Sequence, residues 1–85
     1  MSLAEERGKI DAINHSLVDL LLQRFAAADE ISRIKKAENL PILNQNHETE
    51  VLAKIDALTN DTAYADYIKN IFITIMDETK KSEDK

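Results

Sequence analysis

From residue 4 to residue 37 the chain contains no proline and a single glycine, Gly8, so nothing in that stretch stops a helix once one has begun. Gly8 sits near the start, where fraying costs little. About 34 residues at 1.5 Å each give a helix roughly 50 Å long. A compact body of 85 residues has a radius of gyration near 12 Å, so the helix outruns the body it would belong to. Wound at 3.6 residues per turn, Ile10, Ile13, Leu17, Leu20, Leu21, Ala28 and Ile31 share one stripe roughly 100° wide. His15, Asp19, Gln23, Glu30 and Arg33 lie on the opposite, polar side.

The run "ENLPILNQN" ends this helix, because Pro41 cannot continue it and pushes the residue before it toward extended backbone. Asn44 or Asn46 is then placed to cap a second helix, with Glu48 and Glu50 in its first turn, where the helix dipole favours acid. Val51, Leu52, Ile55 and Leu58 give that helix its buried face. The segment "TNDT" offers Asn60, Asp61 or Thr62 as the cap of a third helix, which carries Tyr64, Ile68, Ile71, Phe72 and Ile75 on one side and continues toward Thr79. The charged tail "KKSEDK" is expected to fray, with 82–85 as the frayed end. The reading is therefore all-α: a three-helix chain with one long N-terminal helix, and residues 1–85 as one domain. Two short helices cannot cover so long an apolar stripe. A second copy can, and a two-fold homodimer is the simplest closed arrangement.

Two cations interrupt the apolar stripe. Arg24 falls in its middle, and Lys35, eleven positions later, is only about 20° away around the axis. Both could lay their stems on apolar surface with their heads in water, and Arg24 could pair with a core carboxylate. Left dry and unpaired, either would cost several kcal/mol. A third reading brings more of the chain together. Arg7, at the stripe's margin, is roughly 25 Å from Arg24 along one helix, but in an antiparallel dimer it can approach Arg24 of the other copy. Thr79 lies on the third helix's apolar stripe with Glu83 one turn on, and Glu48 starts the second helix. These groups would line a polar cavity rich in arginine, whose planar fork suits carboxylates.

Other chemistries lack their residues. Cysteine is absent, so disulfides and thiolates are excluded and a reducing cytoplasm is the expected location. No apolar run reaches the roughly 18 residues of a membrane span, and "MSLAEERGKI" lacks the pattern of a signal peptide. A net charge of −5 and four aromatic residues argue against nucleic-acid binding. No histidine pair at helical spacing offers metal ligands, no glycine-rich loop cradles phosphate, and no serine has a His–Asp partnership. No metal and no cofactor are expected. What is left is a site that binds and shapes an anion without covalent help.

Taken in order, "ERGKIDAINHSLVDLLLQR", "IKKAENLPI", "NHETEVL" and "YIKNIFITIMDETKKSE" resemble the all-helical chorismate mutases over about residues 4–83. No one piece is sharp. The order, spacing and coincident polar positions along nearly the whole chain make the likeness specific. The resemblance implies an intertwined homodimer of three-helix chains with two active sites, each borrowing from both subunits. It also implies the isomerisation of chorismate to prephenate, a step of aromatic amino-acid biosynthesis in the shikimate pathway. One ether C–O bond breaks as one C–C bond forms, with no nucleophile, metal or proton transfer. The enzyme must hold a reactive conformer and stabilise charge developing on the ether oxygen.

Carried over by position, the resemblance implies that Arg24 grips one substrate carboxylate and the partner subunit's Arg7 the other. Lys35 would bond a carboxylate and the ether oxygen, Glu48 would accept from the ring hydroxyl with Asn44 close by, Thr79 would lie near a carboxylate, and Glu83 would donate to the ether oxygen. Two positions depart from the family pattern. His47 stands where many members have arginine, which alters the support around the site. Glu83 can donate only when protonated, so activity is expected to fall as pH rises and Glu83→Gln to flatten the profile. Two rival functions are an isochorismate pyruvate lyase on the same fold and a non-catalytic helical dimer whose cations merely snorkel. The domain is expected to act without an attached dehydratase, dehydrogenase or regulatory domain.

Overall fold

A computed structural model describes residues 2–41 and 45–83 of the chain. It contains three helices in the order α1 (Leu3–Ala37), α2 (Gln45–Thr59) and α3 (Ala65–Glu83), with no strand among the described residues. α3 packs on both α1 and α2. The long helix sets the outline: the chain extends 55 Å along its major axis, and its radius of gyration is 16.0 Å. That exceeds the roughly 12 Å of a compact chain of this length, as a single helix too long for its own domain requires.

α1 starts where Ser2 accepts a hydrogen bond from the Glu5 amide at 3.1 Å, with Glu5 and Glu6 in the first turn. An N-cap serine followed by acid satisfies a free amide and complements the helix dipole. Its other end closes on Asn39, whose φ of 58° is left-handed. The Leu40 amide bonds the Lys35 carbonyl at 2.7 Å, and the Asn39 amide bonds that of Lys36 at 3.3 Å. This pair of return bonds fastens the last turn of a helix, and asparagine is among the few side chains that tolerate the backbone it needs. The stop expected from Pro41 is thus completed two residues earlier.

The caps of the shorter helices differ from the sequence reading. Asn46 is inside α2, so it does not cap it, and Asn44 lies outside the described residues. None of Asn60, Asp61 and Thr62 caps α3. The Thr62 hydroxyl donates to the Thr59 carbonyl at 2.9 Å and accepts from the Tyr64 amide at 3.2 Å, which builds a turn instead. α3 begins after Tyr64, whose carbonyl takes the Ile68 amide at 2.9 Å. At its far end α3 does not fray after Thr79; it runs through Glu83, and Ser82 and Glu83 are half-buried. Lys80 and Lys81 in that last turn suit the negative end of the dipole.

The buried interior is small. Among the described apolar residues only Met76 is buried, joined by Ser32 and Thr79. Leu21, Phe25 and Ala28 of α1, Val51, Leu52 and Ile55 of α2, and Ile68, Phe72 and Ile75 of α3 are half-buried. The expected faces of α2 and α3 are therefore narrower than predicted, because Leu58, Tyr64 and Ile71 are exposed. On α1 the exposed residues include Ile10, Ile13, Leu17, Leu20 and Ile31, most of the predicted stripe. His15, on the polar side, is exposed as well. No described helix is long and apolar enough to cross a membrane.

Candidate active site

The second half of α1, the start of α2 and the end of α3 enclose a cleft of about 250 Å³. Each helix contributes residues at helical spacing, so one face of each lines it. α1 supplies Arg24, Ala27, Ala28, Ile31 and Lys35; α2 supplies His47, Glu48 and Val51; α3 supplies Met76, Thr79, Lys80 and Glu83. The two alanines leave the room that a larger side chain would fill.

Arg24 is fixed rather than loose. Its guanidinium donates from Nη1 to the Thr79 hydroxyl oxygen at 3.0 Å, and that hydroxyl donates in turn to the Ile75 carbonyl at 2.7 Å. A planar fork held through one of its five donors keeps the others free to grip a carboxylate. Thr79 is buried and Arg24 half-buried, so the charge works in a partly desolvated setting. Lys35 is half-buried on the same face, anchored at its carbonyl by the α1 closing turn.

Across the cleft, the Glu48 carboxylate is bridged by the Lys80 ammonium at 3.2 Å. Lys80 also reaches Asp77 at 3.4 Å. The hydrogen bond that Lys80 donates to Glu48 pushes the Lys80 ammonium above its ordinary pKa; partial burial opposes this and Asp77 adds to it. Three cations, Arg24, Lys35 and Lys80, thus line the cleft against two carboxylates, Glu48 and Glu83, within a chain whose net charge is −5. The anion-attracting character is local, as an acidic protein needs it to be.

Of the residues selected from sequence, Arg24, Lys35, Glu48, Thr79 and Glu83 all line this one cleft. Arg7 does not: it is exposed, seventeen residues and roughly 25 Å up α1 from Arg24. Asn44 lies outside the described residues. The sequence reading missed Lys80 and Met76. Met76 is four residues after Phe72 and three before Thr79, a periodicity that could have found it. Lys80 gave less away, since its Glu48 partner is on another helix.

Three helices that deliver cations, a buried hydroxyl and carboxylates to one small cleft define an all-helical protein with a site of small-molecule size. Residues 6–84 match the family described as chorismate mutase type II, and the chain belongs to that family. No curated protein and no solved structure matches it significantly.

Proposed function

We propose that this protein is a chorismate mutase that converts chorismate to prephenate in an intertwined homodimer. Family membership supports the activity. The observation that carries the site assignment is the Arg24–Thr79 contact at 3.0 Å, which aims a tethered guanidinium into the cleft that Lys35, Glu48 and Glu83 also line. In this reading Arg24 grips one carboxylate of the substrate, and the partner subunit's Arg7 grips the other. The exposed stripe of α1 supports the pairing, because Ile10, Ile13, Leu17 and Leu20 need cover that α2 and α3 do not give. Antiparallel association of two α1 helices brings the partner's Arg7 end toward Arg24.

Lys35 bonds a carboxylate and the ether oxygen, Glu48 accepts from the ring hydroxyl with Asn44 beside it, and Thr79 holds Arg24 and meets a carboxylate. Glu83 faces the ether oxygen, to which a carboxyl can donate through its O–H. The rearrangement is intramolecular: the ether C–O bond breaks and a C–C bond forms within one molecule, so no proton or electron is exchanged with the protein. Rate enhancement comes from selecting the folded conformer and from fixed positive charge at the oxygen that becomes negative. We place the activity in the cytoplasm, since a chain without cysteine needs no oxidising compartment. The test is the loss of chorismate absorbance with prephenate as product. Turnover of isochorismate to salicylate instead would assign the lyase, and inertness toward both would leave a non-catalytic helical dimer.

A further inference from the structure

Lys80 sits between two carboxylates from different helices, Glu48 at 3.2 Å on α2 and Asp77 at 3.4 Å one turn back on α3. It is also part of the cleft wall. The Glu48 side chain is 25% exposed, and that of Asp77 is 56% exposed. A lysine bridging an outer and an inner carboxylate has a direction: Asp77 holds it from the solvent side, and it holds Glu48 from there in turn. The contact engages Oε1 of Glu48.

We infer that Lys80 is a positioning residue, which holds the Glu48 carboxylate oriented as the acceptor for the hydroxyl of the bound substrate. This rests on the mutase reading above. The need for such a partner follows from the charges in the cleft. A dianionic guest repels the Glu48 carboxylate, which without a counter-ion would turn away from the hydroxyl it is to accept from. Arg24 and Lys35 on α1 face the same space, but both are committed to the guest's own negative charge, and Glu83 on α3, on the same cleft wall, brings no cation to Glu48. His47 is the neighbour of Glu48 on α2. Lys80 is in contact with Glu48 itself, and the raised affinity of Lys80 for its proton reflects that attraction. Asp77 keeps the ammonium tethered when the guest arrives, so that it does not swing to the guest's carboxylate.

A double-mutant cycle on the full-length protein tests this, read as kcat and KM with chorismate. Lys80→Met should lower kcat/KM by about tenfold, between the small worth of an exposed ion pair and the large penalty of a misplaced site group. Lys80→Arg should restore it to within roughly threefold, because the charge and reach are kept. In a Glu48→Gln background, Lys80→Met should cost less than about twofold, since an amide needs no counter-ion. An equal loss in both backgrounds, or no loss in the first, overturns the inference while leaving the mutase reading intact. An inactive unsubstituted protein overturns both. Should Lys80→Met fail to fold, the pair Lys80→Gln and Lys80→Arg carries the same comparison.

Discussion

Replacing Arg24 by alanine separates a substrate-gripping guanidinium from a cation that merely rests on apolar surface. Hydrogen bonds to charged groups contribute about 1.5–3 kcal/mol each, and a bidentate grip on a carboxylate uses two. Loss of both gives roughly 3–6 kcal/mol, or a fall in kcat/KM of about 10²–10⁴-fold. The cost to the fold is far smaller. In the structure Arg24 donates to the neutral Thr79 hydroxyl at 3.0 Å. Such a bond, with a charged donor, is worth about 1.5–3 kcal/mol, and removing a half-buried charge offsets part of it, leaving a net cost of about 1 kcal/mol. For a domain of this size that is a drop in melting temperature below about 8 °C. The assay pairs chorismate consumption over a range of substrate concentrations with thermal melts followed by far-UV circular dichroism. Arg24→Lys keeps the charge but loses the fork, and should lie between alanine and the unsubstituted protein. Near-normal turnover with a melting temperature lowered by far more than this would refute the reasoning, for it would make Arg24 a packing residue.

Sedimentation should give a mass twice the 9.6 kDa of the chain, and Leu17→Glu, which charges the exposed α1 stripe, should yield a smaller species without activity; a stable, active monomer would contradict the paired arrangement. Glu83→Gln, which keeps a donor, should retain activity if Glu83 donates to the ether oxygen, whereas Glu83→Ala should lose it; equal activity of the two variants would remove Glu83 from the role. Lys80 gives a pH signature. Its pKa is raised by Glu48, so the stability of that contact is complete below its ordinary 10.5 and lost as pH climbs through the folded value. Melting temperatures of Lys80→Met and the unsubstituted protein should therefore differ at neutral pH and converge in strong alkali; a gap that widens there would reverse the assignment.

The sequence carried the helices well because their signals are local. Scarcity of glycine and proline, the 3.6-residue periodicity and Pro41 together predicted α1 over 4–37, against Leu3–Ala37 observed. Caps were harder. Asn, Asp and Thr all make good caps, and the sequence cannot say that Thr62 spends its hydroxyl on a turn with Thr59 and Tyr64. The width of each buried face also escaped, since exposure of Leu58, Tyr64 and Ile71 depends on how far the short helices reach along α1. The cleft was legible where a charge broke an apolar stripe, as at Arg24 and Lys35, and where the family resemblance supplied positions, as at Glu48 and Glu83. Lys80 showed no such contradiction. A lysine at a helix end looks like any solvated lysine until the helix opposite is in place.

The left-handed turn at Asn39 puts one control of the cleft outside it. Because the Leu40 amide is fastened to the carbonyl of Lys35, the reach of that ammonium is set by a loop residue that no ligand need ever touch. Glycine there would keep the geometry, whereas a β-branched residue would unwind the final turn and let Lys35 drift. Variation at this exposed site could retune the enclosure from a distance, with every lining side chain unchanged.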